Sequence, residues 1–447
     1  MKKHLSVLTV QLLLLALIVA ACTPAPTPTP VVVERTVEVP VEVPVEVEKE
    51  VVVTATPGPQ ESVTITYFTF SAAPDHLEDL DEMIQIFEQA HPGIKIKVET
   101  AAFDDYFTKL QTLIAGGTAP DVFELNYENF VSFAAKGVLL NLDPLAEADE
   151  AFDPAIFYPR AYGAFNFNGM QLGLAETFST VLLFYNKDLF DQAGLSYPTE
   201  DWTWEDAVAA AKELTDAGVW GLHSGIQFWE FYKKAAQNGC SLFNEDKTEV
   251  TINAPECIEA LETMVGFVTE DEVMPSDAEM GGMSDGDLFK AGKIAMDVTG
   301  IWMFAAFQDA PFEWDIQVEP GLKQHATHFF TNAVSVFAAT EHPQEAWEWV
   351  KFFTSSPEMA QIRVASGWEL PALDNPAFFE DYLSLSPPAN RAAVFKSLEY
   401  AIVPPVIERQ AEMQDAVNKL IDQVKLGQLT PQEALDQAKV QIEELMR

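Results

Sequence analysis

Positive charge is what this chain has least of. Its 447 residues carry 26 Lys and Arg against 69 Asp and Glu, a formal net charge of −43. Nucleic-acid binding rests on clustered Lys and Arg that displace counterions from phosphates, so that class of partner is excluded. Anionic small molecules are disfavoured less strongly, because one local site can oppose the global field. Catalytic signatures are equally scarce. The chain has no His-Glu-x-x-His, no Cys-x-x-Cys and no glycine-rich phosphate loop ending in Lys-Ser or Lys-Thr. Gly282-Met-Ser-Asp-Gly286 has the spacing of a nucleophile elbow, but that turn needs an apolar strand before it. Pro275-Ser-Asp-Ala-Glu-Met-Gly281 is loop composition instead, so Ser284 is expected to be non-catalytic. No cofactor, no metal and no enzyme activity is expected. A glycosidase using two carboxylates stays open as an alternative, because 69 acids offer many pairs and their separation is not written in the sequence.

Long apolar runs are also missing, with one exception at the N-terminus. Lys2 and Lys3 precede an apolar stretch from Leu5 to Ala21, which ends in Val19-Ala20-Ala21-Cys22. A basic start, an apolar run and small residues at a cleavage point describe a secretory signal over 1–21. With Cys directly after the small residues, it resembles a bacterial lipoprotein signal. That resemblance implies lipidation at Cys22 and a mature chain anchored to the cell membrane on its extracytoplasmic side. Without Lys2 and Lys3 the mature chain is more acidic still. From 22 to 61 the sequence is a Pro/Thr and then Val/Glu/Pro alternation. Pro40 and Pro44 remove ladder donors and argue against a central strand. An extended tether is expected, reaching on the order of 100 Å at about 3.1 Å per residue.

Cysteine is nearly absent. Besides Cys22 only Cys240 and Cys257 occur. Disulfides persist in exported chains, and a bridge between these two is expected to stabilise by roughly 3 kcal/mol.

What is present is a large body. From 62 to 447 it exceeds the ~250–300 residues at which one core stops growing, so two lobes are expected. Val63 to Phe70 reads as a strand, and Asp75 is placed to cap a helix with Leu77, Leu80, Ile84 and Phe87 at helical spacing. Ile94–Val98 and Asp121–Leu125 read as further strands, with helices Tyr106–Ala115 and Asn129–Lys136 after them. Strand–helix alternation implies parallel pairing with right-handed crossovers. The pattern restarts with a strand Val181–Tyr185 and a helix Lys187–Ala193. Thr203 and Thr430 have capping-box spacing to Asp206 and Glu433. Asn126 and Glu128 follow a strand at the carboxyl end where α/β sheets present ligand contacts. Ser71, just past the first strand, is a further candidate.

Several segments in order resemble the extracellular sugar-binding proteins of ABC importers, the maltose-binding-protein-like class. Ala115-Gly-Gly-Thr-Ala-Pro-Asp121-Val122 is similar to that family's turn into a strand. Leu183-Phe-Tyr-Asn-Lys-Asp-Leu-Phe190 is its most recognisable stretch, followed by Gly194-Leu195 and Trp202-Thr-Trp-Glu205. Phe289 to Met296 leading to Gly300-Ile-Trp302, then Ala346–Phe353 and Gly367–Pro371, continue the likeness. The resemblance implies a periplasmic-binding-protein-like α/β fold with two lobes, a multi-strand hinge and a ligand cleft between them. Mapped by position, lobe one covers 62–174 and 327–370, and lobe two covers 175–326 and 371–447. It further implies a monomeric receptor that closes on a carbohydrate, a di- or oligosaccharide, and delivers it to permease subunits.

A sugar presents apolar C–H faces and paired hydroxyls, which aromatic rings and carboxylates match. Trp302, after Gly300, is the first stacking platform the resemblance implies. Trp229 with Phe228, and Trp368 in a turn-like stretch, are further aromatic candidates. Glu176 follows Leu174 where the family places a polar contact. A binding protein for a polyol or polyamine is the remaining alternative.

Overall fold

The computed structural model describes residues 62–447 apart from 217, 368 and 369. The signal segment, Cys22, the tether and Trp368 therefore lie outside the described residues. The first strand, β1 (Val63–Thr69), pairs in parallel with β2 (Ile94–Thr100) and with β3 (Val122–Asn126). Between them run α1 (Pro74–Ala90) and α2 (Phe103–Ala115). Helix α1 starts one residue before the expected cap: Pro74, whose missing N–H costs nothing in a first turn, occupies N1 behind Ala73. Helix α2 ends at Gly116-Gly117, where Gly117 takes φ 72°, a left-handed backbone that glycine adopts without strain.

One strand dominates the rest of the sheet. The sequence suggests a strand over Val181–Tyr185, whereas the structure extends it to Leu174–Asn186, thirteen residues that are all buried. The polar stretch Glu176-Thr-Phe-Ser-Thr180 hides the first half, because burial on both faces erases the alternation that marks an exposed strand. That half pairs antiparallel with the strand Thr327–Val336, from Leu174↔Val334 to Thr180↔Phe329. The second half pairs with Met296–Gly300 and with Trp314–Gln317. Thr327–Val336 in turn pairs antiparallel with β3. One curled nine-stranded sheet results.

Two hydrophobic cores flank this sheet. The first gathers β1, β3 and their helices with Trp347, Trp349 and Phe353. The second gathers Phe190, Trp204, Phe228, Phe231 and Phe267 with Met413, Val417, Leu435 and Ile442 of the C-terminal helices Gln410–Lys425 and Pro431–Leu445. Successive residues of the long strand alternate between them: Leu182 and Phe184 enter the first, Val181, Leu183 and Tyr185 the second. Side chains from Leu370 to Ala401 pack into the first core, and the chain packs against the second core again from Ile402 onward. Cys240 and Cys257 are bonded, with Cα atoms 5.4 Å apart. The bridge ties the end of the helix Phe228–Gln237 to the start of Pro255–Thr269. No helix among the described residues is long and apolar enough to cross a membrane.

Candidate functional site

A cavity of about 690 Å³ opens beside the second core. Its floor is the turn into the helix Phe228–Gln237, and Asn418 of the C-terminal helix pins that turn by accepting the Phe228 N–H at 2.7 Å. Its walls come from the end of the strand Met296–Gly300, from Trp302 just beyond, and from His328 and Phe330 on Thr327–Val336.

Three rings define the apolar side. Trp302 is 39% exposed, unusual for so large an apolar group. Its ring meets Phe330 edge-on at 5.7 Å and 61°, and Trp229 meets Phe330 from another side at 6.1 Å and 75°. Phe330 itself stacks on His328 at 4.5 Å. Gly300 makes the Trp302 position possible: a Cβ there would lie 2.0 Å from the indole.

The rest of the lining is polar and acidic. Glu230, on the first turn of the floor helix, is 7% exposed. Burial alone would raise its pKa, but Lys233, 2.7 Å away, and His328 hold it well below the usual carboxylate range. Lys233 also contacts Glu319 at 2.7 Å, and Lys234 lies over the Trp204 ring, 3.1 Å from its centroid. His328, its imidazole pushed down to about 4 by burial and by Lys233, is neutral and pairs with the Tyr232 hydroxyl. Asp277, Asp285 and Asp422 add acids to the wall, with Lys425 between Asp277 and Asp422. A flat ligand with apolar faces and hydrogen-bonding edges suits this lining, and an anion does not.

The candidates from the sequence divide clearly. Trp302 and Trp229 line the cavity together. Phe228 does not: it is fully buried in the second core, because neighbours on a helix point about 100° apart and Trp229 takes the cavity side. Glu176 does not either. It sits at a β-bulge of the long strand and turns inward to Arg363, 3.3 Å away, where both groups are buried. Asn126 caps α3 (Tyr127–Ala135) by accepting the Asn129 N–H. Ser71 donates to Glu124 at 3.1 Å. Glu128, in the first turn of α3, is buried and its carboxyl is pushed up to about 7 by desolvation. None of these five lines the cavity. Ser284 caps the helix Asp285–Lys290 after a loop, with no strand before it.

Sequence reasoning missed Glu230, His328, Phe330 and His223. Histidine scarcity was a usable signal: the chain has seven, and two of them, His223 and His328, stand in this wall.

The family model of bacterial extracellular solute-binding proteins matches residues 73–360. An ABC substrate-binding protein from Listeria monocytogenes, solved in complex with cycloalternan, is 49% identical with a TM-score of 0.84, over 86% of this chain and 99% of that one. A galactooligosaccharide-binding protein of Bacillus subtilis is 23% identical over 80% of this chain and 84% of its own. A maltose-bound protein of T. maritima, 20% identical with a TM-score of 0.75 over 86% of this chain and all of that one, shares the fold.

Proposed function

We propose, since the chain belongs to the family of bacterial extracellular solute-binding proteins, that it is a carbohydrate receptor delivering an oligosaccharide to an ABC importer. The observation that carries this reading is the set of three rings, Trp229, Trp302 and Phe330, lining one cavity together with carboxylates. Rings cover the C–H faces of pyranoses, and ionised acceptors grip hydroxyl pairs. A cavity of about 690 Å³ suits more than one sugar ring. The cycloalternan complex of the Listeria relative supports an oligosaccharide and names the first ligand to test.

The protein acts by binding rather than by chemistry. Its lobes divide at the strands Leu174–Asn186 and Thr327–Val336, and hinge closure there presents the loaded form to the permease. Cys22 carries the lipid, the segment 23–61 is the tether, and the receptor works as a monomer outside the cell membrane. A Cys22→Ser form that stays fully membrane-bound would refute the anchor. A thermal-shift screen against cycloalternan, linear oligosaccharides, uronates and polyamines tests the ligand class, since a bound ligand raises the midpoint by mass action. The expected pattern is a shift with neutral oligosaccharides and none with uronates. A shift with polyamines alone would transfer the receptor to another solute class.

A further inference from the structure

Besides the rings and Glu230, the cavity wall holds a second cluster that sugar stacking does not use. We propose that His223, Asp285 and Asp297 form a divalent-cation site in the cavity wall, where the residue pattern led us to expect no metal. The three residues offer ligand atoms that all lie within 4.8 Å of one another. His223 Nδ1 is 3.1 Å from Asp297 Oδ1 and 3.9 Å from Asp285 Oδ2. Donors that share one ion at about 2.0–2.2 Å stand about 3–4 Å apart, so little movement closes the shell.

The scaffold is rigid where it needs to be. The His223 N–H donates to the Met296 carbonyl at 2.8 Å, and Val298 donates back to the His223 carbonyl at 3.0 Å. His223 and Asp297 are thereby held side by side on paired backbone. Asp285 comes from the first turn of the helix Asp285–Lys290, and its side chain is 38% exposed.

A second, independent observation points to a ligand. Asp297 is fully buried, and its Oδ2 has no hydrogen-bond partner among the described residues. A buried carboxylate oxygen left without a donor is costly, and such atoms call for an explanation. With Oδ1 held against His223, Oδ2 stays at the cluster, and a cation there satisfies it.

Donor chemistry narrows the ion. One imidazole and two carboxylates suit Zn²⁺ or Mn²⁺, whereas Ca²⁺ and Mg²⁺ prefer all-oxygen shells. Three protein ligands leave positions open, and since His223 and Asp285 both line the cavity those positions face it.

The test needs no sugar, so its failure is distinct from failure of the receptor reading. The full-length protein is stripped with EDTA and titrated with ZnCl₂ by calorimetry and with MnCl₂ by electron paramagnetic resonance. The expected result is one saturable site per chain. Asp285→Asn, whose side chain sits at the rim and leaves the fold intact, weakens it by at least about tenfold, as does His223→Gln. Asp277→Asn, a cavity acid outside the cluster, leaves it unchanged. No saturable site, or a site of equal affinity in both cluster variants, overturns the proposal. In either case the cluster serves only to orient His223.

Discussion

Trp302 and Gly300 act as one unit. The indole occupies space that a side chain at 300 would fill, with a Cβ only 2.0 Å from the ring. Trp302→Ala is expected to lower affinity for the oligosaccharide by an order of magnitude or more, with the thermal midpoint nearly unchanged because the ring is 39% exposed. Gly300→Ala displaces the same ring, so in calorimetric titration the double variant should bind no worse than Trp302→Ala alone. Additive losses would mean that Gly300 matters for another reason. Glu128 makes a separate prediction. Its carboxyl is raised from 4.5 to about 7 by burial, so between these values the folded state holds a proton that the unfolded state has lost. Stability therefore falls as pH rises from 4.5 through 7, by about 3 kcal/mol in all. Glu128→Gln should flatten that slope in urea unfolding at pH 5 and pH 8, and an unchanged slope would contradict the assignment. At this scale legibility was uneven. Trp302 and Trp229 were named from the resemblance to the sugar-binding family, and both line the cavity. Phe228 and Glu176 misled because the sequence does not say which of two adjacent side chains faces inward.

The helix Phe228–Gln237 carries the polar part of the site, and its own stability depends on buried charge pairs. Lys233 is fully buried between Glu230 and Glu319, 2.7 Å from each. Removing one member of a buried set strands the others, so Lys233→Ala should cost about 3–5 kcal/mol in denaturant unfolding. A loss below about 1 kcal/mol would mean that water reaches the two acids once the lysine is gone. Element ends were legible wherever local chemistry sets them. Thr203 and Thr430 form capping boxes with Asp206 and Glu433, and Gly194 closes its helix in a left-handed conformation. The long strand Leu174–Asn186 was half missed, because its polar residues are buried by partners far away in sequence. The buried network was not legible either: Lys234 and Glu319 are 85 residues apart, and nothing local announces their contact.

At the scale of the molecule, two cores share one curled sheet, and two long strands, Leu174–Asn186 and Thr327–Val336, run beside each other along it. The repeated strand–helix order of the sequence foretold two α/β halves, since each strand–helix start needs its own layer to cover. The sheet order was not foretold, because pairings such as β3 with Thr327–Val336 join segments some two hundred residues apart. The acidic surface and the acid-lined cavity point the same way, against an anionic ligand. The central claim is that an oligosaccharide binds in this cavity and leaves it unaltered. Calorimetric titration with cycloalternan, followed by chromatography of the recovered ligand, tests it most directly. The account predicts saturation at one ligand per chain with the sugar recovered intact. Hydrolysis products, or no heat with cycloalternan or any linear oligosaccharide, would contradict it.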